Sequence, residues 1–359
     1  MFTNKKKWIL VLALAIIVRI FAAFPEAVEK YYSNGIYPVM SRVLRVLFGW
    51  IPFSVGDLLY AAAGIFLLVR LVQGIRAVVR RQAGRAFWLY GLKGIVFWSL
   101  WIYVSFNLLW GLNYNRLGMA QQMQLTMKPY NTDELKMLVQ VIIRRLDQTQ
   151  AAAVRDREQF THHSSLFGEA RQCYGPAADQ YAFLGYHNGS IKPSIFSYAG
   201  DYLGFTGYYN PFTGEAQVNT TVPVFVQPFT TCHEMGHQLG YAKENEANFA
   251  GYLSAKSSRD SAFRYSVYFE MYAYAMRELY RRDSSSAKDF IKLVPPQVKK
   301  DFATLRAFNE RYKNPLEPVI TMLYGSYLRA NQQPAGMQSY NEVTAFLVAY
   351  CKKYGEAAL

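Results

Sequence analysis

His233-Glu234-Met235-Gly236-His237 lies in the second half of a 359-residue chain and has the pattern His-Glu-x-x-His. Residues i and i+4 share one face of a helix, so a helix here would direct two imidazole rings at one metal ion. Glu234 would lie beside that ion, where its carboxylate could take a proton from a bound water. The motif therefore predicts a zinc centre with His233 and His237 as metal ligands and Glu234 as the catalytic general base.

A catalytic zinc ion usually has three protein ligands and a water molecule, so the two histidines need a third partner. Glu244 and Glu246 are the nearest carboxylates after the motif. We expect Glu244 to be the ligand, because Asn248 follows it by four residues and would share its helix face. Asn248 would then hydrogen-bond a metal-bound histidine from behind. Glu246 is the alternative third ligand.

Hydrolysis at such a site also needs a hydrogen-bond donor for the developing oxyanion. Tyr327, Tyr268 and Tyr209 are the candidates, and the sequence does not distinguish between them. The β-prone stretch 214–219 before the motif is either a strand that pairs with an extended peptide substrate or an internal strand.

Apolar runs and tryptophan dominate the first part of the chain, and all six tryptophans lie in its first 110 residues. Three runs, about 8–24, 52–72 and 88–110, predict transmembrane helices. The first run is short, and its basic start also fits a cleaved signal peptide. Residues 25–51 predict either a helix in the membrane interface or a helix packed on the soluble part.

Basic residues predict the orientation of these helices, because cytoplasmic loops are enriched in lysine and arginine. The N-terminal lysines and the arginine-rich stretch 70–85 should be cytoplasmic. Everything after the third span then lies outside the cytoplasm, which means the periplasmic face of the inner membrane in a cell with two membranes. Many basic residues behind the net charge of +14 flank apolar runs. This favours a lipid bilayer, and not nucleic acid, as a partner.

The composition becomes more polar from residue 113 onwards. We therefore expect a membrane region over 1–112 and an extracytoplasmic domain over 113–359. Short β-prone stretches at 195–198, 204–209 and 215–219 predict a small sheet, and most of the remaining domain has helical periodicity. Asn131 and Glu134 predict a capping box. The expected fold class is a membrane-anchored α+β protein with a mostly helical domain.

Several stretches together resemble a bacterial membrane-protein family known as domain of unknown function 3810. They are Trp110-Gly111-Leu112-Asn113-Tyr114, Asn210-Pro211-Phe212-Thr213-Gly214 with the residues up to 219, and the stretches 233–242, 244–249 and 263–266. The resemblance covers nearly the whole chain. It implies a three-span anchor and a zincin-like metallopeptidase domain.

Glu244-x-x-Ala247-Asn248 is also similar to the Glu-x-x-Ala-Asp/Asn helix of gluzincin metallopeptidases, whose first glutamate is the third zinc ligand. This similarity implies the same role for Glu244. The gap between His237 and Glu244 is much shorter than in most gluzincins, so the chain must turn back sharply after Gly240. Asn248 replaces the commoner aspartate.

These observations predict a membrane-anchored zinc metallopeptidase with one zinc ion per chain, acting on peptides or proteins of the cell envelope. The alternative is a catalytically silent zinc-binding scaffold or chaperone in the envelope. Glu234 favours the enzyme, because a structural zinc site would not need a base. A transporter is disfavoured, because the predicted spans offer few polar groups beyond Asp57 and Lys93.

Overall fold

The structure is a computed structural model that describes residues 4–359, except for the side chains of residues 339–341. Helical segments fill most of the first 110 residues: α1 (Lys5–Phe21), α2 (Pro25–Ala27), α3 (Tyr37–Gly49), α4 (Val55–Val79) and α5 (Arg85–Leu109). A nine-residue π-helix, Val28–Ile36, joins α2 to α3.

The rest of the chain is also mostly helical, with one small sheet. Its helices are α6 (Met119–Gln122), α7 (Thr132–Asp156), α8 (His163–Gln180), α9 (Ser197–Leu203), α10 (Gln227–Gln238), α11 (Glu244–Lys256), α12 (Ser261–Arg282), α13 (Ser284–Leu293), α14 (Pro296–Tyr312), α15 (Glu317–Ala330) and α16 (Val343–Tyr354). The strands are β1 (Ile191–Pro193), β2 (Gly207–Asn210) and β3 (Glu215–Val218). The capping box predicted at Asn131 and Glu134 is present at the start of α7.

Within residues 4–359 two helices, α4 and α5, are long and apolar enough to cross a membrane. Each has 25 residues, or about 37 Å at 1.5 Å per residue, against ~30 Å for a hydrocarbon core. α1 and Pro25–Gly49 form a pair bent by 99° that could supply a third crossing. The sequence predicts three membrane spans, and the structure has two candidate spans, or three if the bent pair is counted as one span. α4 begins after the predicted residue 52 because the Ser54 side chain caps it by accepting a hydrogen bond from the Asp57 N–H.

The sheet has the order β1-β3-β2, with β1 parallel and β2 antiparallel to β3. β3 is paired on both sides, so the predicted strand before the motif is internal. The predicted strand at 195–198 is wrong. Ser194 accepts hydrogen bonds from the N–H groups of Phe196 and Ser197, and this turn leads the chain into α9. Tertiary contacts here override β propensity.

The motif helix α10 lies at the centre of the fold, and all 12 of its residues are buried. The largest apolar cluster surrounds it with side chains from α7, α8, α11, α12 and α16. A second cluster joins Val18, Tyr32 and Tyr37 to Trp110 and Tyr209. Apolar packing therefore continues across the predicted domain boundary at residue 112.

Candidate metal centre

A tight turn at Gly240 brings the helices α10 and α11 back against one another. Gly240 has a φ of +85°, in the left-handed region that favours glycine. Its N–H donates to the carbonyl of His237, and the Tyr241 N–H donates to the carbonyl of Gly236. The sharp reversal that the short spacing predicts is therefore present, and it delivers the first residue of α11 to the motif.

Four buried side chains meet at this crossing. Candidate ligand atoms of His233, Glu234 and His237 lie within 4.8 Å of one another. Glu244 Oε2 lies 3.3 Å from His233 Nε2 and 3.7 Å from His237 Nε2. Ligand atoms held about 2.1 Å from a zinc ion in a tetrahedron lie about 3.4 Å apart. The two histidines and Glu244 therefore fit a shared zinc ion, and Glu234 lies beside them.

Hydrogen bonding fixes the tautomer of His237. Its Nδ1 lies 2.7 Å from the carbonyl oxygen of Tyr241, and a carbonyl can only accept, so Nδ1 carries the proton. This leaves the lone pair of Nε2 directed at Glu244. A backbone carbonyl behind a histidine is a typical support for a metal ligand.

The pKa values of the two carboxylates in the cluster are shifted in opposite directions. Burial works to raise the pKa of Glu244, but hydrogen bonds and charge from His233 and His237 outweigh it, and the pKa falls below its usual range. Burial raises the pKa of Glu234 to about 7, although both histidines oppose the shift. The Oε2 atom of Glu234 is buried and has no hydrogen-bond partner among the described residues. The Glu244 carboxylate is therefore suited to binding a cation, and the Glu234 carboxylate is suited to accepting a proton.

Glu246 lies on another side of α11. Its Oε1 accepts a hydrogen bond from the Met119 N–H at 3.1 Å, and its carboxylate packs against Gly118. The structure brings Glu244 into the cluster and directs Glu246 at the loop before α6. Asn248 is buried one turn after Glu244 and is hydrogen-bonded to Tyr274.

The three candidate oxyanion donors have different positions. Tyr327 lines the same cavity as the cluster, 3.3 Å from the Tyr114 hydroxyl, and burial raises its pKa, so it keeps its proton. Tyr209 lines this cavity too, packed against Trp110. Tyr268 instead donates to the carbonyl of Leu359, outside the cavity lining. Tyr324, which the sequence analysis missed, donates to Glu244 Oε1 at 3.0 Å.

Residues far away in the sequence hold the C-terminal end of the motif helix. Trp110 Nε1 donates to the carbonyl of His237 at 3.0 Å. Tyr37 and Ser41 donate their hydroxyl hydrogens to the carbonyl of Gln238, at 3.0 and 2.8 Å. The last carbonyls of a helix have no partner within it, so these three side chains satisfy groups that burial would otherwise leave unpaired.

A cavity of about 780 Å³ opens beside the cluster. The edge strand β2 contributes Gly207, Tyr208 and Tyr209 to its wall. A Cβ atom at Gly207 would lie 2.7 Å from Glu234 Oε1, so only glycine allows the strand to pass this close to the carboxylate. The remaining lining comes mainly from α5, α15 and residues 110–115, with Arg19 of α1 and Tyr60 of α4, and it includes Ala22, Ser99, Ile102, Tyr103, Phe106, Asn107, Tyr324 and Tyr327.

Comparisons with known proteins establish the family. No curated protein and no solved structure matches the chain. A family model described as protein of unknown function (DUF3810) matches residues 32–348, which include both strongly apolar helices, the sheet and the His-Glu-x-x-His cluster. The chain therefore belongs to the DUF3810 family.

Proposed function

We propose that this protein is a membrane-anchored, zinc-dependent metallopeptidase with a zincin-like domain. The observation that supports the proposal most directly is the position of Glu244 Oε2, 3.3 and 3.7 Å from the two histidine Nε2 atoms. Glu234 lies next to this set and lines a cavity large enough for a peptide segment. Three such ligands with an adjacent free carboxylate are typical of hydrolytic zinc sites.

His233, His237 and Glu244 would hold the ion. When bound, zinc supplies a Lewis acid that lowers the pKa of a water molecule. Glu234 Oε2, which is buried without a hydrogen-bond partner among the described residues, would accept the proton of that water and pass it to the leaving amine. Tyr327 is the favoured donor to the oxyanion, because its protonated hydroxyl lines the cavity.

The edge strand β2 gives a peptide substrate a place to lie. Its partner β3 occupies only one side, so the other edge has backbone groups for an added strand. Gly207 at the start of β2 adjoins Glu234. An extended peptide on this edge would bring a scissile bond beside the general base.

We place the protein in the bacterial inner membrane, with its N-terminus in the cytoplasm and the zinc cluster on the periplasmic side. Arg76, Arg80, Arg81 and Arg85 lie at the ends of α4 and α5 that are remote from the cluster. Because arginine favours the cytoplasmic side, the opposite ends and the cluster lie outside. A reporter fused after Leu359 should work outside the cytoplasm only.

The test of the proposed function uses full-length protein in nanodiscs, loaded with zinc, and a pool of randomised soluble peptides analysed by mass spectrometry. We expect wild-type protein to cut the pool and Glu234→Gln to keep its zinc and cut at least a hundredfold more slowly. Glu246→Gln is the matched control and should keep its activity, because Glu246 lies outside the cluster. Equal peptide patterns from wild type and Glu234→Gln would instead favour the silent scaffold or chaperone.

A further inference from the structure

The helix α3 has an apolar face that no described residue covers. Val39, Val43, Leu47 and Trp50 lie on this face with 51–79% of their surfaces exposed. The opposite face is buried and polar, and there Tyr37 and Ser41 bind the end of the motif helix. The segment is bent by 99° from α1. α1 packs against the apolar helix α5. A helix that lies roughly perpendicular to α1, with its apolar face outward, has the geometry of an interfacial helix.

With α3 in the membrane interface, the candidate zinc site would lie close to the bilayer surface. An α-helix with its side chains is about 10 Å across. α3 binds the C-terminal carbonyls of α10 on one side and would touch lipid with the other. The cluster would therefore stand roughly one helix diameter above the hydrocarbon.

The cavity also extends from the cluster down along α5. Its wall on this helix runs from Asn107 through Tyr103 and Ile102 to Ser99, a distance of about 12 Å along the helix axis. Tyr60 of α4 lines the same cavity. The cavity would thus reach into the outer half of a ~30 Å hydrocarbon core.

The helix α4 stands apart from the other apolar helices. α1 and α5 pack together through Val11, Phe97 and Val104. In α4 only Gly56 and Asp57 are buried, both in its first turn. Beyond that turn its large apolar side chains are exposed, and Tyr60 lines the same cavity as residues of α5. Tyr60 of α4 and Ile102 of α5 line the cavity and are 38% and 60% exposed, so the cavity lining is continuous with surfaces of both helices that would face lipid.

We propose that the substrate is a polypeptide anchored in the same bilayer, which enters between α4 and α5 and is cut within a few residues of the membrane surface. This inference rests on the proposed peptidase function. An apolar anchor would cover the exposed sides of α4 and α5, which water-soluble peptides cannot reach. The chain leaving the anchor would pass Tyr103 and Trp110 and reach the edge of β2 beside Glu234.

The experiment uses two designed probes in liposomes with the full-length, zinc-loaded protein. Both probes carry one apolar 20-residue helix and the same randomised ten-residue segment. In one probe that segment begins directly after the helix, and in the other a 30-residue Gly/Ser linker, which spans roughly 30 Å, separates the two. Both probes have the same surface concentration, so only the distance of the segment from the bilayer differs. We expect the near segment to be cut at least tenfold faster.

Paired variants test the entry route. Ile102→Trp narrows the cavity at membrane depth and should reduce the near-to-far ratio of cutting rates at least threefold. Ile95→Trp makes the same change at an exposed position of the same helix, outside the cavity lining, and should keep the wild-type ratio. Zinc content of each variant reports whether the domain is folded.

The outcomes separate the two claims. Equal cutting of near and far segments, or an unchanged ratio in Ile102→Trp, would overturn the entry route while the peptidase function stands. If zinc-loaded wild type cuts neither probe and no soluble peptide, the proposed function is wrong and the inference falls with it.

Discussion

The indole N–H of Trp110 donates a hydrogen bond to the backbone carbonyl of His237 at 3.0 Å. Trp110 directly follows α5, so the end of a helix long enough to cross a membrane contacts a predicted zinc ligand. The two rings also meet edge to face, with centroids 5.7 Å apart. The apolar N-terminal helices therefore contribute to the shape of the candidate metal centre itself.

This contact predicts that Trp110→Phe weakens zinc binding. Phenylalanine keeps an aromatic ring but removes the N–H, which costs about 1 kcal/mol of stability. We expect about a fivefold loss of zinc affinity, measured by competition with a fluorescent chelator. Trp98→Phe is the matched control, because Trp98 is an exposed residue of α5 away from the cavity lining. Equal affinities for Trp110→Phe and wild type would show that the contact does not position His237.

The ligand assignment predicts the zinc content of alanine variants. Purified wild-type protein should carry about one zinc ion per chain, and His233→Ala and Glu244→Ala should lose it, because a catalytic site needs all three ligands. Glu246→Ala should keep its zinc, since its carboxylate binds the Met119 N–H. Elemental analysis by mass spectrometry checks this. Zinc retained in Glu244→Ala and lost in Glu246→Ala would reverse the assignment.

Two tyrosines of α15 should have separable roles. Tyr324 donates to Glu244 Oε1, so Tyr324→Phe should lower zinc affinity and leave kcat of the zinc-saturated protein nearly unchanged. Tyr327 lines the cavity without a described contact to a candidate ligand. Tyr327→Phe should therefore keep zinc affinity and lower kcat by about a hundredfold, the usual cost of one oxyanion donor. The opposite pattern in a peptide assay at saturating zinc would exchange the two roles.

The stability of the domain should also depend on Glu270. Burial raises the pKa of Glu270 from 4.5 to about 7, and Arg277 opposes the shift. Between these pH values the folded chain holds a proton that the unfolded chain has released. The stabilisation from that proton is complete below pH 4.5 and is lost as the pH rises towards 7.

Glu270→Gln should therefore melt at the same temperature as wild type at pH 4.5 and at a higher temperature at pH 7.5. Scanning fluorimetry of the detergent-solubilised protein checks the difference. Glu310→Gln changes an exposed side chain and should not alter the melting temperature at either pH. A Glu270→Gln protein that is less stable than wild type at pH 7.5 would contradict the prediction.

Local spacing explains what the sequence could predict. The i, i+4 spacing predicted that His233 and His237 lie on the same face of a helix. The short gap between His237 and Glu244 required a reversal of the chain, which Gly240 provides. Helix capping at Asn131 was also visible, because its signal lies within four residues. These features need no knowledge of how distant segments pack.

Contacts between distant segments explain what the sequence could not predict. Tyr324 reaches Glu244 across 80 residues, and Tyr37 reaches Gln238 across 201. The first strand was misplaced because the chain after it bends around Ser194, whose neighbour Ile195 donates its N–H to Asp57. Each of these positions depends on tertiary packing, which one sequence does not encode as a local pattern.

The attachment of α4 to the sheet has a mechanical consequence. The Glu215 carboxylate of β3 accepts hydrogen bonds from the N–H groups of Val55 and Gly56, and the buried residues of α4 all lie in this first turn, so the described contacts hold the helix at this end. Such a helix could rotate as a rigid body about its attachment to the sheet. In a bilayer the helix would be several ångströms longer than a typical hydrocarbon core, and tilting is one way in which a helix accommodates such an excess. Bilayer thickness would thus adjust the width of the opening beside the cluster.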